Sequence, residues 1–212
     1  MSEILIGIIG FKGSGKSTIS KILKDKYNFE IDSFAKPVKD IAQCIFNWDR
    51  DMLEGETIES REWRETIDVD WSTRLDKYIT PRKILELIGT EFGRYLIHGN
   101  IWIESLLNRI KNKKRVVISD VRFENEINSI TSKGGIIIKI IRKPPSYYDE
   151  IKHLSQHDAN EYMSKYYKGV HVSEYSVCNY NVQYEINNKE DNNFDYLEEQ
   201  IKHIIDSKIN KH

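Results

Sequence analysis

An α/β fold in three layers, with a mostly parallel sheet between helices, is predicted by three features of this 212-residue sequence. A short apolar run without polar alternation at residues 4–9 reads as a strand covered on both faces, residues 116–118 read as a buried strand, and IIIKIIR at 136–142 reads as a third. Stretches with apolar residues three and four apart lie between them, and strands joined through helices by right-handed crossovers run parallel. The first apolar run also passes straight through a glycine-rich turn into a helical pattern.

In chain order, ILIGII at 4–9 is the first strand, and GFKGSGKST leads from it into ISKILKDKY, where Ile19, Ile22 and Leu23 mark one helical face. A second short strand is expected at about 29–31. Pro37 at a helix start, followed by Val38, Ile41 and Ala42, marks the next helix. From 47 to 80 the composition turns charge-dense and holds three of the four tryptophans, which predicts a mobile helical or loop insertion carried by the sheet. Thr80 as N-cap and Pro81 in the first turn then open a helix with Ile84, Leu85, Ile88, Phe92 and Leu96 on one face. Gly89 and Gly93 inside that pattern each cost about 1 kcal/mol against alanine, so something is expected to pack closely there. A further helix fits 101–111, and the basic KNKKR at 111–115 reads as a helix C-terminal cap rather than a nucleic-acid patch. The strand at 116–118 is followed by a helix at about 125–132 stopped by Gly134 and Gly135, then by the strand IIIKIIR. Residues 143–174 are polar and rich in Tyr and His; YNVQYEI alternates like a strand near a sheet edge, and FDYLEEQIKHIIDSKI is helical.

Length favours one domain with a sizeable core. The 32 Lys and Arg against 33 Asp and Glu leave a net charge of -1, which gives no global attraction to nucleic acid, so any anion site is local. Cys44 and Cys178 lack C-x-x-C spacing and suit a reducing compartment. The N-terminal apolar run is too short for a membrane span and lacks a basic leader, so a cytoplasmic protein is expected, with a homodimer left open.

Gly10-Phe11-Lys12-Gly13-Ser14-Gly15-Lys16-Ser17, with Thr18 next, matches G-x-x-x-x-G-K-[ST] between a strand and a helix, the context that this motif requires. Its glycines let backbone N–H groups curl around phosphate oxygens, and the helix adds its positive end. Lys16 is suited to the outer phosphates and the Ser17 hydroxyl to Mg²⁺. A P-loop for a nucleoside triphosphate follows, which leaves a small-molecule kinase, a GTPase-type switch or a motor-like ATPase. Asn188-Lys189-Glu190-Asp191 reads N-K-x-D, the guanine-specificity pattern, but no D-x-x-G occurs anywhere, so the turn reads as a polar loop within reach of the base.

A kinase must neutralise the transferring group with cations, and Arg82, Lys83, Arg94, Arg122 and Arg142 are the candidates. Arg82 and Lys83 stand in the first turn of their helix, where cations oppose the macrodipole; such violations tend to mark functional or compensated positions, and two solvated surface cations are the alternative. Arg122, at the tip of the strand at 116–118, suits a bidentate grip on phosphate. Asp120 beside it could hold Mg²⁺ through water, orient Arg122, accept a hydrogen bond from a sugar, or form a plain ion pair with Arg122. Trp102 is either a base-stacking ring or core. Glu126 also reads as a first-turn residue favoured by the helix dipole. The tyrosines of 143–174, among them Tyr147, Tyr148, Tyr166 and Tyr167, suit either an adenine or a small core of their own. His153 and His157, with His171 and Cys178, read as part of a solvated helical segment before they read as a zinc site.

GFKGSGKST, LIGTEFGR with Trp102 a short way on, SDVRFENE followed by GGIIIKIIRK, and HVSE at 171–174 together resemble the phage-type deoxynucleoside monophosphate kinases, relatives of the adenylate kinase fold. The resemblance runs in order over roughly residues 4–205. It implies transfer of the γ-phosphoryl group of ATP, with Mg²⁺, to a deoxynucleoside 5′-monophosphate. It further implies that Ser33, Arg82, Lys83, Trp102, Asp120, Arg122 and Glu126 form the monophosphate site and that 143–174 closes as a lid over ATP, with 47–80 as the monophosphate-binding insertion. A kinase for a coenzyme precursor or another phosphorylated metabolite is the alternative on this fold.

Overall fold

The computed structural model describes residues 4–188 and 194–209. Strand β1 (Ile4–Ile9) runs into helix α1 (Lys16–Tyr27), and β2 (Glu30–Asp32) leads to α2 (Lys36–Phe46). Three short helices follow, α3 (Arg50–Glu54), α4 (Ile58–Glu65) and α5 (Val69–Leu75), then α6 (Pro81–Glu86) with a π-helical continuation (Leu87–Ile97) and α7 (Ile101–Ile110). The chain returns through β3 (Arg115–Ile118), α8 (Glu124–Thr131) and β4 (Ile136–Ile141) to α9 (Tyr148–Ile151) and α10 (Gln156–Tyr166), a 3₁₀ turn (Val172–Glu174), β5 (Tyr184–Asn187) and α11 (Phe194–Ile209). The chain divides into two compact units, one of residues 1–33 and 110–212 and the other of residues 34–109.

The first unit holds the sheet. Among the described residues five parallel strands lie in the order β2-β3-β1-β4-β5, with Ile6 opposite both Val117 and Ile136. The central strand has no polar alternation because both its faces are covered: on one, Ile6 and Ile8 are fully buried among Ile19 and Leu23 of α1 and Ile201 and Ile204 of α11, and on the other Gly7 lies against Val121 and against Ile130 of α8. The strand expected over YNVQYEI near a sheet edge is confined to β5 at Tyr184–Asn187, one of the two edge strands of the described sheet, with β2 the other. Arg115 of the basic stretch donates from Nη1 to Tyr27 O at 2.8 Å, at the C-terminal turn of α1, where a cation complements the exposed carbonyls.

In the second unit the charge-dense stretch folds as short helices with explicit N-caps. Asp49 accepts from the N–H of Asp51 and Met52, Thr57 and Ser60 exchange hydrogen bonds, and Asp68 accepts from Trp71 N. The three tryptophans supply the apolar surface that so polar a sequence otherwise lacks. Trp48 stacks on Phe46 at 4.3 Å, with Trp71 edge-on to Phe46 at 5.0 Å and Trp63 edge-on to Trp48 at 5.9 Å.

The helix expected to run through 97 on one face changes register instead. Thr80 caps it as expected, its Oγ1 accepting from Lys83 N at 3.2 Å. From Leu87 the turns widen, and His98 N donates to Gly93 O, five residues back. The change rotates the later apolar residues off the expected stripe: Ile84 and Ile88 are buried, but Phe92 is 46 % and Leu96 78 % exposed. The close packing expected at the glycines is present. A Cβ on Gly93 would stand 2.2 Å from Trp102 Cζ2, and Trp102 Nε1 donates to Gly89 O at 2.7 Å. Gly93→Ala is therefore expected to destabilise the protein by about 1–3 kcal/mol through overpacking. An unchanged denaturation midpoint would mean that the indole gives way freely.

Candidate active site

The turn between β1 and α1 exists because glycine tolerates positive φ. Gly10, Gly13 and Gly15 have φ of 150°, 80° and 101°. At Gly10 a Cβ would also stand 2.7 Å from Ile140 O and from Ser14 Oγ. Lys16, in the first turn of α1, folds back so that Nζ donates to Gly10 O at 2.8 Å and Phe11 O at 2.9 Å, which places the ammonium at the mouth of the loop. The Ser14 side chain is buried, and its Oγ has no hydrogen-bond partner among the described residues. A concave loop of left-handed glycines, a buried hydroxyl left unpaired and a lysine across the opening fit phosphate oxygens. Ser17 is exposed on the same helix turn, open to a cation.

At the tip of β3 the chain is fixed around Arg122. Its backbone N–H donates to Glu126 Oε2 at 2.8 Å, and Phe123 N donates to the same oxygen at 3.2 Å. Its carbonyl accepts from Ser176 Oγ. Glu126 is 2 % exposed, so the carboxylate read as a first-turn residue serves as the N-terminal cap of α8. The Arg122 guanidinium donates from Nη1 to Ser173 Oγ at 3.3 Å and lies 3.4 Å from Glu174 Oε1, so the carboxylate facing it belongs to the HVSE turn. Asp120 is half-buried beyond β3.

Gly10, Phe11, Lys12 and Lys16 of the loop share one cleft with Arg122, whereas Ser14, Ser17, Asp120 and Glu126 are not among its lining residues. Lys12, Lys16, Arg122, Lys139 and Arg142 line it, with Glu174 the one carboxylate among the described lining residues. Such an excess of cations, set on an apolar floor that includes Ile140 and Val177, suits a polyanion. Lys139 was not singled out from sequence, although a lone lysine inside an otherwise apolar strand is a signal. Cys178 also lines the cleft, and burial raises its thiol above the ordinary value, which favours the protonated form.

The segment 143–174 contributes one wall. Ile151, Ala159, Met163, Tyr175 and Cys178 form a small core, against which Phe11, Tyr147, Tyr148 and Tyr167 pack. Of the two roles open for these tyrosines, the structure shows the core for all three, with Tyr148 also on the cleft, whereas Tyr166 is 59 % exposed. Burial, with Glu174 nearby, pushes the Tyr147 phenol up to about 12, so it remains neutral. His153 and His157 do not share a helix: a turn separates α9 from α10, whose N-cap Ser155 lies between them.

The remaining candidates lie elsewhere in the chain. Ser33 follows β2, its N–H donating to Asp32 Oδ1 at 2.8 Å. In the second unit Arg82 pairs with Glu65 at 3.0 Å, Lys83 is exposed and Arg94 Nη1 donates to Gly99 O at 3.5 Å. Trp102 is 6 % exposed with its N–H on Gly89, which is the packing alternative of the two read from sequence. Of the N-K-x-D pattern, Lys189, Glu190 and Asp191 lie outside the described residues. Asn188 is described and buried.

No protein-family model matches the chain. It is 38 % identical over 154 residues to a protein of Acanthamoeba polyphaga mimivirus named as a deoxynucleotide monophosphate kinase, covering 66 % of this chain and 74 % of that protein. It is 31 % identical over 176 residues to the deoxynucleoside-5′-monophosphate kinase of Escherichia phage T5, covering 58 % of this chain and 70 % of the phage protein. Among solved structures, shikimate kinase from Aquifex aeolicus aligns over 97 % of this chain and 98 % of its own, at 16 % identity and a TM-score of 0.46.

Proposed function

The chain belongs to the deoxynucleoside monophosphate kinases and is a phosphotransferase, and we propose that it transfers the γ-phosphoryl group of ATP to the 5′-phosphate of a deoxynucleoside monophosphate, leaving ADP and a deoxynucleoside diphosphate. The observation that carries this reading is that Gly10, Phe11 and Lys12 of the glycine loop, with Lys16, Arg122 and Arg142, line one cationic cleft. Such a site needs no covalent intermediate, because phosphoryl transfer is accelerated by alignment and by charge placed where it develops.

In this mechanism the amides of the loop hold the donor phosphates and Lys16 turns from the Gly10 and Phe11 carbonyls to the outer ones. Ser17 would hold Mg²⁺, whose charge offsets that of the phosphates. Arg122 grips the transferring group or the acceptor phosphate, and Arg142 adds charge from the β4 side. Asp120, Ser33, Arg82, Lys83, Arg94, Trp102 and Glu126 are assigned to the acceptor side, Trp102 and Glu126 through the packing and backbone bonds described above. Residues 47–80 serve as the acceptor-binding insertion, and 143–174 close as the lid that keeps water from the donor. No described helix is long and apolar enough to cross a membrane. Cytoplasmic work on small molecules in deoxynucleotide supply, without direct nucleic-acid contact, completes the reading.

The test is a panel of the four deoxynucleoside monophosphates, their ribose counterparts and a set of phosphorylated metabolites, each incubated with ATP and Mg²⁺. A diphosphate formed from at least one deoxynucleotide is expected. Transfer only to a coenzyme precursor or metabolite would overturn the acceptor assignment, and tight retention of GTP without transfer would overturn the kinase reading.

A further inference from the structure

The N-K-x-D pattern is a sequence motif to which the proposed reaction gives no role, and Asn188 is its described residue. This asparagine is 7 % exposed and held from two sides. Its backbone N–H donates to Ile141 O at 2.9 Å, at the end of β4. Its side-chain Nδ2 donates to Ser14 O at 2.8 Å, a buried bond between residues 174 positions apart. Asn188 also packs on the next residue of the loop: a Cβ on Gly15 would stand 2.4 Å from Nδ2.

The Ser14 carbonyl and the Gly15 N–H are opposite edges of one planar trans peptide and point in opposite directions. With the carbonyl held by Asn188, the Gly15 N–H is turned away from Asn188. Gly15 has φ 101°, a conformation that glycine alone adopts freely, and the same freedom would let this peptide rotate. We infer that Asn188 is a positioning residue for the phosphate loop: it fixes the Ser14–Gly15 peptide so that the Gly15 N–H serves as a phosphate donor at the start of α1. The asparagine of the N-K-x-D pattern thus acts on the loop. The inference rests on the reading of the glycine loop as the ATP phosphate site.

Two variants test it. Asn188→Asp keeps the size of the side chain and removes the donor, and Asn188→Ala removes both. Calorimetric binding of ATP and separate KM values for ATP and for the deoxynucleoside monophosphate are compared with wild type, alongside thermal melts. Both variants are expected to weaken ATP binding and raise the ATP KM about tenfold, as a buried carbonyl deprived of its donor implies, with the acceptor KM within about twofold. Unchanged ATP affinity in Asn188→Asp overturns the inference. So does a rise of both KM values together with a lowered melting temperature, since that marks a general structural role. Should Asn188→Ala fail to fold, Asn188→Asp decides alone. Because ATP binding is read directly, the outcome stands even if wild type phosphorylates no monophosphate, which would count against the proposed reaction instead.

Discussion

Lys16→Ala is expected to lower phosphoryl transfer by about two to three orders of magnitude while the protein stays folded. The ammonium donates to the Gly10 and Phe11 carbonyls on the open side of its own loop. Neither carbonyl belongs to the core, so losing those bonds costs stability on the order of 1 kcal/mol. The lost charge, by contrast, acts where the transferring phosphoryl group becomes most negative. A steady-state assay paired with a thermal melt separates the two effects, and transfer near the wild-type rate in a folded variant would remove Lys16 from the mechanism.

The second large effect is expected at Arg122. Arg122→Ala should reduce kcat/KM by a similar two to three orders of magnitude, roughly the scale for one preorganised donor. The backbone of residue 122 is held by Glu126 and Ser176, bonds that do not depend on its side chain. The guanidinium contact with Glu174 is partly exposed on both sides and worth at most about 1 kcal/mol, so the fold should persist. Arg122→Lys is expected to recover only part of the loss, because an ammonium keeps the charge but not the two-pronged geometry. Near-normal turnover in Arg122→Ala would refute the role given to this arginine.

What could be read from the sequence was what the chain encodes locally. The β1–loop–α1 unit lies in 24 consecutive residues from Ile4 to Tyr27, and its glycines, lysine and apolar run each state their part without help from elsewhere. The tip of β3 was legible for the same reason: an apolar run that ends in Asp120 and Arg122 has to expose them where the strand leaves the sheet. The widening at Leu87 was not legible, since the apolar spacing from Ile84 to Leu96 obeys the ordinary helical period and the register change is tied to the packing of Trp102 on Gly93. Glu174 beside Arg122, and Asn188 beneath Ser14, are pairings across 52 and 174 residues. Nothing in the local sequence of either partner announces the other. The tryptophans of 47–80 stand apart in a polar stretch, and only the folded packing of Phe46, Trp48, Trp63 and Trp71 brings them into one aromatic cluster.

Because Glu174 already partners the Arg122 guanidinium, a phosphate arriving there exchanges one anion for another. The site therefore gains only the difference between two attractions, since the displaced carboxylate must be rehoused. An arginine fully unsatisfied before its ligand came would hold the reacted phosphate as firmly as the unreacted one and let it go slowly. In the proposed reaction, an internal carboxylate 3.4 Å away would lower the grip at both ends of the cycle, and so trade tightness for turnover.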